Sequence, residues 1–264
     1  MITYSVYTPT NVTTMLRPRR QSGQSIIQEG FEINPSVPFS EYTDIYGNPC
    51  QRAVLPVGEV TITTEVQAQV NVTKPIPSPP PAYVMVGDLP EEVMHYILPS
   101  RYCQSDLPEI NKLAMQIAGN FVPGYDQVEE IRKWIHQNVT YQYGVTNSNT
   151  TALDIARNRI GVCRDFTHLA IALCRNLSIP TRMTVGYLDK LQEMDLHAWF
   201  EVYIGNDWYA FDAVQQNTEG YRIEIAHGRD AADVAMVTQF GNATLQSLHV
   251  EVELLEQEPA PTQN

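Results

Sequence analysis

The stretch GVCRDFTHLAIALCRNLSIPTR, residues 161–182, decides the reading of the fold. Gly161 breaks the upstream helical pattern, and Pro180 ends the next helix, because proline has no N–H to donate and its ring collides with the preceding helical turn. Between them residues 163–178 carry a helical pattern. With Cys163 set at 0° and about 100° per residue, Phe166, Leu169, Ala170, Leu173, Cys174 and Leu177 fall between roughly 240° and 20°. A stripe of that kind needs an apolar cover, and Cys163 lies inside it. This cysteine also sits in the first turn, where unpaired backbone N–H groups and the positive end of the helix dipole favour a thiolate and lower the thiol pKa from about 8.5. Cys174, one face below among leucines, reads as core packing. His168 falls near roughly 140°, almost opposite the stripe, so it is expected to face solvent or a neighbouring domain.

Downstream the period changes to two. Thr181–Leu188, 196–204 and 207–214 read as strands, the last two joined by Gly205-Asn206, a two-residue hairpin signal. That loop pairs Ile204 with Asp207, Tyr203 with Trp208, Glu201 with Ala210 and Trp199 with Asp212. His197, Trp199, Glu201 and Tyr203 then share a face with Trp208, Ala210 and Asp212. His197 and Asp212 become diagonal neighbours, with Cβ atoms somewhat under about 7–8 Å apart, close enough for one hydrogen bond. If the helix lays its stripe on that face, Cys163 reaches the other side of the imidazole. A nucleophile, a base and an orienting acid result.

Upstream, Ile110, Leu113, Ala114, Ile117, Ala118 and Phe121 fall on one helical face, and Val128, Ile131, Trp134 and Ile135 form the stripe of a second helix opened by Asp126 and Glu129 as a capping box. Residues 151–158 form a short third helix. Before these, KPIPSPPP (74–81) holds five prolines in eight residues and reads as a stiff extended linker. Residues 1–73 read as strands, with Val60/Ile62 and Val66/Ala68/Val70/Val72 alternating with polar residues, Gln24–Asn34 extended, and turns at Tyr46–Pro49 and Pro56–Gly58. The expected fold is therefore α+β. An N-terminal antiparallel β sandwich or barrel (1–85) and a connector (86–108) precede a core (109–264) in which a helix packs on an antiparallel sheet. The acidic end, 256–264, is expected to fray.

Composition narrows the function. The 264 residues carry 17 basic against 30 acidic side chains, a net charge of −13 that argues against a nucleic-acid partner. The longest apolar run is the six residues 169–174, far short of the roughly 18 that a membrane helix needs. The first residues, MITYSVYTPT, show no basic patch, apolar h-region or cleavage site, so the expected location is the cytoplasm. The four cysteines, Cys50, Cys103, Cys163 and Cys174, are then expected to be free thiols. His95, His136 and His249 lack partners at metal-ligand spacing, and no metal or other cofactor is expected. Nothing in the sequence speaks to oligomeric state.

At GVCRDFTHLAIALCRNLSIPTR (161–182), LHAWFEVY (196–203) and WYAFD (208–212) the chain resembles the bacterial transglutaminase-like superfamily, a branch of the papain-like cysteine enzymes. HGRDAADVA (227–235) and residues 1–85 are similar to further parts of these bacterial proteins. The resemblance implies Cys163 as nucleophile, His197 as base and Asp212 as third member. Tyr141 and Tyr143 lie where relatives place aromatic residues near the acyl site. Trp199 or Trp208 is expected to wall the site, and His227 with Arg229, Asp230 and Asp233 to hold a loop beside the cleft. The expected chemistry is acyl transfer from a peptide or protein amide through a thioester, most simply hydrolysis. Transfer to an amine, or peptide binding without turnover, are the alternatives. A backbone N–H at the start of the helix, that of Cys163 itself, is expected to supply half an oxyanion hole; residue types do not name the other half.

Overall fold

The computed structural model describes residues 1–20, 23–71, 73–189, 191, 195–215 and 220–255. The N-terminal strands are β1 (Ile2–Val6), β2 (Thr10–Thr14), β3 (Gln24–Asn34), β4 (Phe39–Thr43), β5 (Pro49–Leu55) and β6 (Gly58–Val70). Then come α1 (Pro108–Ala118), α2 (Tyr125–Asn138), β7 (Thr140–Tyr141), α3 (Ala152–Asn158), β8 (Ile160–Gly161) and α4 (Cys163–Asn176). The chain closes with β9 (Thr181–Leu188), β10 (His197–Ile204), β11 (Asp207–Phe211), β12 (Arg222–Gly228), β13 (Val237–Phe240) and β14 (Ala243–Leu248).

The N-terminal strands form a sandwich. Its sheets run β14-β1-β6-β3 and β13-β2-β5-β4, and alternate residues of both, among them Ile2, Tyr4, Val12, Leu55, Val60 and Ile62, meet in one buried core. Two of its strands come from the far end of the chain. β14 pairs with β1, and β13 pairs with β2, so the division of the chain into 1–85 and 109–264 is not how the sheets divide. β13 and β14 have too little apolar surface of their own to stand as a separate hairpin, and they cover edges that β1 and β2 would otherwise leave open. The expected frayed end, 256–264, lies outside the described residues.

The core sheet runs β11-β10-β9-β12. Its hairpin has the expected register, Ile204 opposite Asp207 through Glu201 opposite Ala210. Gly205 and Asn206 both take positive φ, 57° and 64°, the geometry that matches the twist of the flanking strands. The proline-rich segment is extended but docked rather than free. Ala82 accepts from Gly205 N–H at 2.9 Å, Lys74 pairs with Asp207, and the Tyr83 hydroxyl bonds Ser178 O at 3.2 Å.

Three sequence expectations fail in the helical layer. Every residue of α4 from Asp165 to Arg175 is buried, because α1, α2 and α3 cover the side that the sheet does not. His168 is therefore enclosed rather than solvent-facing: its ring stacks on Tyr102 at 5.2 Å and its Nε2 accepts from Ala231 N–H at 3.1 Å. Phe121 lies beyond the end of α1 and is 43% exposed. α2 starts at Tyr125 from a Gly124 with φ 95°, with no side-chain cap from Asp126; the positive φ turns the chain into the helix without one.

The fourth difference concerns the site. The stripe of α4 packs on Ala198, Phe200, Val202 and Ile204, not on the His197 face. The opposite face, with Trp199, Glu201 and Tyr203, lies under the sandwich and residues 84–97. Tyr203 and Trp208 pack there with Leu89 and Val93, and Tyr96 meets the Trp208 ring edge-on. The open edge of β12 is sealed by N-terminal side chains. Gln24 and Asn48 each exchange two hydrogen bonds with the backbone, at Glu224 and His227 respectively.

Candidate active site

Cys163 is the first residue of α4, with Val162 as N-cap. The local turn is held by Asp165, whose Oδ2 accepts from Val162 N–H at 3.0 Å and from the Thr146 hydroxyl at 2.6 Å. Arg164 closes the other side of that carboxylate, with its Nε 3.0 Å from Oδ1. A side chain on Gly161 would bring a Cβ within 2.8 Å of Asp165 Cβ, so glycine is what lets Asp165 fold back under the cap. An acidic residue two positions after the cysteine is the signal of this arrangement, and nothing in the helical periodicity points to it.

His197 opens β10 and is 3% exposed. Its Nε2 lies 2.7 Å from Asp212 Oδ2, which leaves Nδ1 for the Cys163 side chain, the ring's other hydrogen-bond partner. The thiol also points toward Leu196 O, 3.9 Å from Sγ. Contact between sulfur and ring does not need the helix stripe to share the His197 face. Both residues are the first of their elements, where the stripe and the alternating face constrain a side chain least. Strand alternation describes faces and is silent about ends, so the expectation brings sulfur and ring together through a packing that the structure does not have.

Asp212 follows β11 directly. Its Oδ1 accepts from Val214 and Gln215 N–H at 2.9 and 3.1 Å, so the strand stops at Phe211 and the backbone turns around the carboxylate. α2 fastens that turn, with Arg132 on Gln215 O at 3.4 Å and His136 Nδ1 3.1 Å from Val214 O. Burial opposes the Asp212 carboxylate, but His197, Arg222 and the Gln215 N–H outweigh it and hold the group below its usual range. Burial likewise opposes a charged His197, yet Asp212 and Cys163 prevail and hold the ring at about 9. The carboxylate keeps the ring charged, and the ring keeps the carboxylate ionised.

Around this pair Trp199 is buried, with its ring stacked 6.3 Å from that of His197. Trp208 lies away from the site with Tyr96 and Tyr203. Tyr141 and Tyr143 meet edge-on at 5.4 Å on the solvent side. Burial, then the charge of Cys163, raises the Tyr141 hydroxyl above its ordinary range, while the Cys163 backbone N–H acts on the same oxygen in the opposite sense. Tyr143 reaches Asp195 Oδ2 at 3.5 Å. A groove of about 400 Å³ between sandwich and sheet runs past Tyr187, Leu196 and Ile223. Cys50, Cys103 and Cys174 are free and fully buried, and burial pushes the Cys174 thiol up to about 12. His227 bonds Glu224 Oε1 at 3.0 Å, and Arg229 bonds Asp233 at 2.9 Å. Among the described residues no group of three or more His, Cys, Asp or Glu could hold a metal ion, and no helix is long and apolar enough to cross a membrane.

A thiol at a helix start thus faces an imidazole tethered to a carboxylate just past the end of the next strand, and the comparisons give the class. Residues 111–213 match the transglutaminase-like superfamily, and residues 8–71 match the bacterial transglutaminase-like N-terminal region. The crystal structure of a candidate cysteine protease from Cytophaga hutchinsonii superposes with a TM-score of 0.90 at 37% identity, covering 98% of this chain and 90% of that one. An uncharacterised protein of Mycobacterium leprae (strain TN) is 28% identical over 236 residues, spanning 83% of this chain and 82% of its own. One of Mycobacterium tuberculosis (strain H37Rv) is 27% identical over 243 residues, spanning 83% and 77%. The chain belongs to the transglutaminase-like superfamily.

Proposed function

We propose that the protein is a cysteine-dependent acyl-transfer enzyme that opens a peptide or amide bond and passes the acyl group to water. The observation that carries this reading is the contact chain Cys163–His197–Asp212, with Nε2 of the ring committed to the acid at 2.7 Å and Nδ1 turned to sulfur. His197 already holds the thiol proton as an imidazolium, and Sγ attacks the carbonyl carbon as the thiolate. The tetrahedral oxyanion forms beside the Cys163 N–H, which has no partner within its helix. The Tyr141 hydroxyl, kept protonated by its raised pKa, serves as the second donor. Collapse of the intermediate sends the proton from His197 to the leaving amine and leaves a thioester, which water opens with His197 now acting as base. Asp212 stays ionised throughout and holds the ring in one orientation. The substrate carbonyl would approach Cys163 from the Tyr141 side.

A peptide library digested by wild type and by Cys163→Ala tests the proposal, with a labelled primary amine present. New acid ends in the wild type alone support it. Amine incorporation outrunning acid release would replace hydrolysis by transamidation, and peptide binding without turnover by either protein would replace enzyme by binding module.

A further inference from the structure

We infer that Arg222 is a positioning residue of this site, a buried cation that fixes Asp212 and is itself anchored by Thr73, just before the proline-rich segment. The inference rests on the Cys163–His197–Asp212 reading above. Arg222 opens β12 with its side chain 7% exposed. One terminal nitrogen lies 3.4 Å from Asp212 Oδ2, the same oxygen that receives His197. The other donates to Thr73 Oγ1 at 2.8 Å, and that hydroxyl reaches Gly220 O at 3.4 Å. The guanidinium carbon also lies 5.5 Å from the centre of the Trp199 ring, which is stacked on His197. Arg222 thus touches the acid directly and the base through one aromatic ring.

The chemistry gives such a cation work to do. While His197 is protonated, Asp212 has a charged partner. When the ring hands its proton to the leaving amine, a fully buried carboxylate is left facing a neutral imidazole, a costly state without another cation. Arg222 remains charged through the whole cycle, so Asp212 need not take the proton itself. Because a second positive charge nearby disfavours the imidazolium, Arg222 also limits how far Asp212 can raise the ring. Glu201 and Asp189 act on Arg222 from their own elements, and Arg132 of α2 acts toward Asp212. Thr73 immediately precedes the proline-rich segment, so the seating of that segment and the orientation of the acid share one side chain.

The test is the pH profile of Cys163 alkylation by iodoacetamide in the full chain, where the three other cysteines are fully buried. Melting temperatures are measured alongside. In Arg222→Met, loss of one charge at this range should move the profile up by about 0.5–1 pH unit, about threefold to tenfold slower reaction on the acid limb. Arg222→Lys, which keeps the charge, should return most of it, and Thr73→Val should shift the profile the same way by less. A folded Arg222→Met with the wild-type profile overturns the inference. Should that variant not fold, an unmoved profile in Thr73→Val overturns it instead. If wild-type Cys163 reacts like glutathione at every pH, and His197→Ala changes nothing, the triad reading itself fails and takes this inference with it.

Discussion

Replacing Asp212 by asparagine keeps the shape of the turn and an oxygen for Val214 and Gln215 N–H, but removes the charge that opposes burial at His197. In the wild type the ring is held at about 9 against an ordinary 6.5. At about 1.4 kcal/mol per unit, that difference amounts to about 3 kcal/mol in favour of the imidazolium in the fold. Because the folded pKa is the higher one, this stabilisation is fully present below pH 6.5 and disappears as pH rises through about 9. Asp212→Asn should therefore bring His197 down to 6.5 or below, since burial is then opposed by Cys163 alone. Its stability deficit should be greatest between about pH 4 and 6.5 and should shrink as pH approaches 9. Ring resonances of isotopically labelled histidine, followed by NMR against pH, give the first quantity, and thermal melts over the same range give the second. A His197 that still titrates near 9 in Asp212→Asn, or a stability deficit that does not change with pH, would refute the electrostatic account.

Three further outcomes rest on the same geometry. Tyr141→Phe should slow acylation by 4-nitrophenyl acetate about a hundredfold with little change in KM, the usual cost of one oxyanion donor; a change confined to KM would remove the hydroxyl from that role. Burial, with Arg182 and Arg19 nearby, lowers the His227 pKa despite Glu224, so its contribution to stability is present above pH 6.5 and fades as pH falls. The wild-type melting temperature should drop on acidification more steeply than that of His227→Gln, and parallel curves would sink this. Deleting residues 237–264 removes β13 and β14, which border β1 and β2. Limited proteolysis should then cut within residues 1–71, and a protease-resistant sandwich in the truncated protein would contradict the shared-sheet topology.

The helix of Cys163 and the hairpin of His197 and Asp212 are legible in the sequence because each depends on local pattern: a glycine, a proline, an apolar stripe and a two-residue turn. Three side chains on two adjacent elements then have little freedom to miss one another. The features hidden from local pattern depend on contacts far apart in the chain. β12, β13 and β14 are short, and the latter two pair with strands more than 200 residues away in the sequence, so alternation within them carries no partner information. The helical wheel misplaces His168 because one apolar stripe suggests one covered side, whereas α4 is covered all round. Arg222 meets Asp212, and Arg132 and His136 meet the backbone just after it, and no spacing rule marks them. Asp165 is within reach of local reading, as an acidic residue at the third helical position.

The most direct measurement of the central claim is mass spectrometry of the protein quenched during reaction with 4-nitrophenyl acetate. The account predicts an acetyl group on the peptide that contains Cys163, removable by hydroxylamine as a thioester is, formed in a burst that His197→Ala abolishes. Acetylation spread over lysines with Cys163 unmodified, or a burst of equal size in Cys163→Ala, would contradict it.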